Sequence, residues 1–228
     1  MGTALILGAE YPYVKMPDGK WWMSANLAWD GTGFDYAGDS GNRSDYGRLY
    51  QYTQLATITA ALDGNFRVPV KADWETLFAA VGGTSVAAIK LKEAGTEHWS
   101  APNSATDDYG FAVRAAGYRW YPYGNPVGYF GLNHVARFVL LDGYIQYGNS
   151  YQYISFYENY SQCEIPTVAD ANDALSIRLV SDTDPNHINL HVIHDGVWKK
   201  VSEQHQIDGG WVKSSKIFVP SSGAWAQS

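Results

Sequence analysis

Helical periodicity is confined to residues 48–83 of this chain, and that limits its possible folds more than any other feature. From Arg48 to Leu62, the residues Leu49, Tyr52, Leu55, Ala56 and Thr59 mark one helix face, which the Asp63-Gly64-Asn65 run ends. In KADWETLFAAVGG, Trp74, Leu77, Phe78 and Val81 recur at i, i+3, i+4 and i+7. Asp73 and Glu75 sit in the first turn, where the helix dipole favours acids, and Gly82-Gly83 supply a stop. Past about residue 98 the period is lost, and Gly, Pro, Asn and aromatic residues alternate in short runs as far as Val180. Two helices followed by strands and long loops predict an α+β fold.

Ahead of the helices, YVKMPDGKWWMSANLAW reads as a hairpin turning at Pro17-Asp18-Gly19, which places Trp21, Trp22 and Trp29 in the core. The polar, Gly-rich run from Gly31 to Gly47 reads as a surface loop. Its Asp35, Asp39 and Asp45 lack the spacing of a calcium loop, so no metal is expected there.

With a net charge of −7 and its 16 Lys and Arg scattered, the chain has no basic stripe, so nucleic acid is not an expected partner. The apolar run Ala4 to Leu7 is too short for a signal segment or a membrane span, and no insertion is expected. Cys163, the only cysteine, rules out an intrachain disulfide and a two-cysteine redox centre. The histidines at 98, 134, 187, 191, 194 and 205 show no convergence with a nucleophile. HVIH at 191–194 reads as an alternating strand, so neither a catalytic residue nor a cofactor is expected.

Several segments in succession carry a resemblance: DGKWWMSANLAW, YGRLYQY, FRVPVKADWETLFAAVGG, KLKEAGTEHW, YGFAVRAAGYR and ALSIRLVSD. Together, over about Tyr13 to Asp182, they closely resemble the Fibrobacter succinogenes major paralogous domain, whose members look like variants of the C-type lectin fold. The resemblance implies two helices flanking a twisted, mainly antiparallel sheet, with long loops presenting a binding face. The chain departs from the family pattern at Val70, where many members have a small hydroxyl residue. It departs again at ARFVLLDG, residues 136–143, where a Trp-Ser-Ser run is common.

In the resembled fold the binding loops lie between GYR and the last strand, the interval that holds YIQYGNSYQYISFYENYSQC. Tyr offers a rigid apolar face and a hydroxyl at low entropy cost, while Ser, Gly and Asn add adaptable hydrogen bonds. Candidate ligand-binding residues are Tyr147, Asn149, Tyr151, Tyr153, Tyr157, Asn159 and Tyr160. The loop YRWYPYGNPVGYF adds Tyr121, Tyr123, Asn125 and Tyr129. In YQYISFY, period-2 alternation assigns Ile154 and Phe156 to the core and Tyr151, Tyr153 and Tyr157 to solvent or ligand. Tyr is also a good strand former and Pro122 and Pro126 stiffen loops, so a structural role for both stretches stays open. Motifs of calcium-dependent sugar binding are absent from the sequence. The composition from Tyr121 to Tyr160 is also close to that of the lectin-fold proteins that diversity-generating retroelements vary in phage tails and on bacterial surfaces.

Beyond residue 183, Gly-Val-Trp198, Gly-Gly-Trp211 and Gly-Ala-Trp225 recur at spacings of 13 and 14 residues, a repeat of short strand-turn units. Residues 1–183 are read as the lectin-like domain and 184–228 as a small β tail, either an oligomerisation or attachment element or a hairpin extension packed on its own domain. The expected function is a receptor-binding adhesin, a phage tail protein of the virion that recognises a glycan or protein on a bacterial surface, assembled as a homo-oligomer with a trimer favoured. A bacterial surface or secreted adhesin is the alternative, and an enzyme a distant third.

Overall fold

The structure, a computed structural model, describes residues 1–62, 65–121, 126–145, 150–165 and 169–185, and the backbone of four strands between residues 190 and 227. The chain divides into two units, Met1–Asn186 and His187–Ser228.

The first unit is α+β and opens with strands β1 (Gly2–Ile6), β2 (Ala9–Lys15) and β3 (Trp21–Met23). The β2–β3 hairpin turns where Pro17-Asp18-Gly19 predict it, with Gly19 at φ +84°. Asp18 closes this turn, accepting from the Lys20 amide at 3.0 Å and from the Trp22 indole, also at 3.0 Å. Next come a single helical turn α1 (Arg43–Tyr46), strand β4 (Tyr50–Gln51), helix α2 (Leu55–Ala61), strand β5 (Phe66–Arg67), and helices α3 (Lys71–Ala80) and α4 (Thr84–Leu91). The remainder is strand and loop: β6 (Ala116–Trp120), β7 (Gly128–Leu132), β8 (Val135–Ile145), β9 (Ser150–Tyr157), β10 (Cys163–Glu164), β11 (Ala169–Asp170), β12 (Ala174–Leu175) and β13 (Val180–Ser181).

Three local expectations need correction. The helix read over 48–62 is helical only from Leu55, after one 3₁₀ turn at Tyr52–Gln54, because Tyr50 and Gln51 pair with Leu175 and Ala174 in a sheet. The Gly31–Gly47 run is not featureless loop: Arg43 and Arg48 clasp Asp35 at 2.8 and 3.2 Å, and Tyr46 is buried. A third helix, α4, follows the Gly82-Gly83 stop; its short Ala87 and Ala88 pack flat against the core without the bulky periodicity that announces a helix.

The strands form two sheets. In one, β13 brings the end of the unit between β3 and β5 in the order β1-β2-β3-β13-β5. The other runs β10-β9-β8-β6-β12-β4, with β7 beside β6 and β11 beside β9; its one parallel pair is β6–β8. Both faces of β8 and β9 are packed. One face meets Trp22, Trp74, Phe78 and Phe111, with Trp74 at the centre, its ring 4.9 Å from Trp22 and 5.2 Å from Phe138. The other meets Tyr11, Met23, Tyr50, Ile58 and Leu175. Among the described residues no helix is long and apolar enough to cross a membrane. In the second unit β14 (Leu190–His194) pairs antiparallel with β15 (Val197–Val201), and β16 (Phe218–Ser221) with β17 (Ala224–Gln227). His191 and His194 lie in β14, and Trp198 and Trp225 on hairpin strands; Trp211 falls outside the described residues.

At Val70, where the side chain cannot cap α3, the first turn is closed from the opposite direction: Asp73 Oδ2 accepts the Val70 N–H at 2.9 Å. Asp73 is buried and also receives Arg67 through two hydrogen bonds of 2.6 and 2.9 Å, and Lys20. Burial alone would raise this carboxyl, but the hydrogen bonds from Arg67, Lys20 and Val70 win and hold it at about 2 against an ordinary 3.8. Its contribution to stability is therefore full above pH ~4 and lost as pH falls towards 2, about 2 kcal/mol in all. Urea titrations between pH 7 and pH 2 should show that loss in the wild type and no corresponding step in Asp73→Asn, which starts less stable at pH 7.

Candidate functional site

The candidate face is built on the β6–β7 hairpin. Its register sets Tyr118 opposite Phe130 and Trp120 opposite Gly128, so Tyr118, Trp120 and Phe130 project from one side of the sheet. Gly117 permits this close pairing: at φ +65° any Cβ would lie 2.4 Å from the Phe130 carbonyl oxygen. The Trp120 and Phe130 rings meet edge to face at 5.8 Å, and Tyr118 lies 6.0 Å from Phe130. Trp120 and Phe130 are each 44% exposed, Tyr121 41% and Val127 38%, a grouping of large apolar side chains in water.

Across the parallel pair Gly117↔Ala136, the neighbouring β8 residue Arg137 shares the face of Tyr118. Its guanidinium carbon lies 3.6 Å from the Tyr118 ring centre and 4.9 Å from that of Tyr153. The buried Nε of Arg137 has no hydrogen-bond partner among the described residues. Arg119, on the opposite side of β6, covers Phe34 at 4.2 Å and donates to the Asn172 carbonyl at 3.2 Å. Tyr121 is fixed at the edge by its amide, which donates to Asp173 Oδ1 at 2.7 Å. Burial raises the Asp173 carboxyl, against the backbone hydrogen bonds it accepts.

The residues named from sequence separate into four groups. Tyr121, Tyr160 and Asn159 are exposed and Tyr157 is half-buried; the Tyr157 and Tyr160 rings meet at 5.7 Å, and Tyr157 pairs with Val135 on the same sheet. Tyr129 points away from the Trp120 side and packs on Tyr36 at 5.3 Å. Tyr123, Asn125, Tyr147 and Asn149 lie outside the described residues.

Tyr151 and Tyr153 correct the sequence reading. Ile154 and Phe156 are buried as expected, but Tyr151 and Tyr153 are buried on the opposite face, at 0% and 5% exposure. Tyr151 stacks on Tyr52 at 5.4 Å and donates its hydroxyl to the Asp173 carbonyl at 3.2 Å. Alternation separates the two faces of a strand; it does not say whether the second face is covered. Conversely, a reading that follows Tyr passes over Trp120, Val127 and Phe130. The available signal was the spacing of Tyr118, Trp120 and Phe130 about the Pro- and Gly-containing turn of one hairpin.

Other features offer less. An open cleft of about 490 Å³ lies beside Tyr52, Leu55, Leu141 and Tyr144, and another of about 750 Å³ beside Ser24, Asn26, Arg43 and Arg114. Both arginines of the larger cleft are already engaged, by Asp35 and Glu93. Burial pushes the Cys163 thiol up to about 12, which leaves it unreactive at neutral pH. Among the described residues no three or more His, Cys, Asp or Glu side chains are grouped to hold a metal.

In comparisons with known proteins, no family model, curated protein or solved structure matches this chain.

The exposure pattern separates residues that stabilise the fold from residues free to meet a ligand. Tyr151→Ala should cost about 3–5 kcal/mol in chemical denaturation, as expected of a buried aromatic. Trp120→Ala should stay within about 1 kcal/mol of wild type.

Proposed function

We propose that the chain is a receptor-binding adhesin of C-type lectin-like fold, a phage tail protein that attaches to a bacterial surface molecule through the open face around Trp120. One observation carries this reading: Tyr118, Trp120, Tyr121 and Phe130 stand together at an open end of a sheet whose central strands pack on both faces. Rigid aromatic anchors with a neighbouring guanidinium are the side chains that dominate recognition surfaces. The ordered resemblance of the sequence to the major paralogous domain supports the fold assignment. The Tyr-, Asn- and Gly-rich composition of residues 121–160 suits a face of the kind that retroelements diversify. Attachment to a repetitive surface favours several heads held together. The two short hairpins of the second unit are too small to be stable alone, and their cover is assigned to further copies of the chain in a homotrimer.

Labelled protein should bind intact cells of at least one strain in a bacterial panel. Truncating Trp120 and Phe130 to Ala should cost about 2 kcal/mol each, roughly a thirtyfold weaker Kd per residue, without loss of fold. Binding to no strain, or undiminished binding by the folded double variant, would count against this face. The same binding should survive a chelator, and a loss restored by calcium would overturn the metal-free reading. For assembly, light scattering of the full chain should give about three times 25.2 kDa, whereas a monomer at micromolar concentration would remove the trimer.

A further inference from the structure

Ser100, His134 and Glu158, distant in sequence, converge where β8 begins and β9 ends. His134 immediately precedes β8 and Glu158 immediately follows β9, and the pairing Val135↔Tyr157 sets them side by side. The Glu158 amide donates to the His134 carbonyl at 2.9 Å, and the Ser100 amide to the Asn133 carbonyl at 2.7 Å, so all three residues are tied to one stretch of backbone. Lys92 Nζ holds the other side of this corner, donating to the carbonyls of Tyr157 and Glu158 at 3.0 and 2.8 Å.

The side chains form a chain of contacts. Glu158 Oε2 meets His134 Nδ1 in a short hydrogen bond, and His134 Nε2 lies 3.5 Å from Ser100 Oγ. With the carboxylate accepting from Nδ1–H, Nε2 is left as the acceptor facing the hydroxyl. The sequence reading found no histidine converging with a nucleophile; folding brings this one to Ser100 from 34 residues away. The Ala101 amide, next along the chain, donates to nothing among the described residues, and Ala101 is exposed. The amide after a nucleophile is a common oxyanion donor in acyl transfer.

We propose that Ser100, His134 and Glu158 form a hydrolytic triad that cleaves short-chain acyl esters. Ser100 Oγ adds to the ester carbonyl carbon while its proton passes to His134 Nε2. The tetrahedral species collapses, the acyl carbon–alkoxy oxygen bond breaks, and the alkoxide leaves as an alcohol with that proton. Water then adds to the acyl-Ser100 carbonyl, giving a proton to Nε2. As the carboxylic acid departs, that proton returns to Oγ, so ester and water become acid and alcohol. Glu158 orients the imidazole and stabilises its protonated form. Because the His134 side chain is 55% exposed, the site can reach an ester carried on a large molecule, and an acetylated hydroxyl is the simplest such substrate. This activity is independent of ligand recognition at the Trp120 face.

Treating the full chain with a fluorophosphonate probe should label Ser100, identified by peptide mass spectrometry. With p-nitrophenyl acetate, Ser100→Ala and His134→Gln should lose hydrolysis by about 100-fold or more, and Glu158→Gln by a smaller factor. Ser100→Ala removes one surface hydroxyl and should keep the wild-type melting temperature, which separates loss of chemistry from loss of fold. Absence of labelling, labelling elsewhere, or Ser100→Ala or His134→Gln hydrolysing as fast as wild type would overturn the triad.

Discussion

The buried guanidinium of Arg178 constrains the arrangement of the first unit. It is fully inaccessible to solvent, and among the described residues no carboxylate forms a hydrogen bond with it; neutral oxygens do so instead. Asn26 Oδ1 accepts from Nε and Nη2 at 3.2 and 3.1 Å, the Ala112 carbonyl accepts from Nη2 at 2.9 Å, and the Phe111 carbonyl accepts from Nη1. Burial presses the guanidinium down to about 9, so it remains a cation at neutral pH, and losing any of these acceptors would leave buried charge uncompensated. Three segments must therefore hold their relative positions: the strand end that leaves β3, the loop that leads into β6, and the approach to β13. Asn26 extends the restraint by donating to the Tyr46 carbonyl at 2.9 Å, which fixes α1 as well. The hairpin bearing Trp120 thus starts from a loop held both by charge solvation and by the packing of Phe111 and Val113 in the core.

Packing on both faces of β8 and β9 explains the use of several tyrosines in the first unit. Tyr50, Tyr52 and Tyr151 fill apolar space, and each hydroxyl reaches a backbone carbonyl in a neighbouring segment, of Trp29, Leu141 and Asp173 respectively. Tyr11 does the reverse, accepting the Ala28 N–H at 3.1 Å. A phenylalanine core of equal volume would leave these carbonyls and amides without partners in partly buried loops, which costs more than the ring contributes in shape alone. Tyrosine here fills the core and also satisfies the loops.

This dual role decides what could be read from the sequence. The Pro17 to Gly19 turn, the α3 periodicity, the Gly82-Gly83 stop and the Ile154/Phe156 face all follow from local rules that tertiary structure does not overturn, and each was legible. Tyr151 and Tyr153 were not, because an aromatic residue with a polar tip suits both a ligand face and a hydrogen-bonded core. Tyr151 is covered by Tyr52, in the 3₁₀ turn before α2, and bonded to the turn before β12, both far from it in sequence. Helix α4 escaped because two of its three buried residues, Ala87 and Ala88, are alanines, whose packing leaves little periodic signal beside Leu91. The Ser100–His134–Glu158 corner was invisible for the same reason as Tyr151: its geometry exists only once β8 and β9 pair.

Arg137 marks where the covered sheet gives way to the open one. Directly opposite it on β9 is buried Ser155, and its guanidinium bridges the faces of Tyr153, which belongs to the core, and Tyr118, which leads to Phe130 and Trp120. A cation between two rings gains about 0.5–2 kcal/mol per contact depending on desolvation, and it restricts both rings at once. The exposed cluster is consequently continuous with the core through stacked side chains. Its anchors have little further freedom to lose on meeting a ligand, and that preorganisation is what the proposed binding face would require of a small patch of aromatic surface.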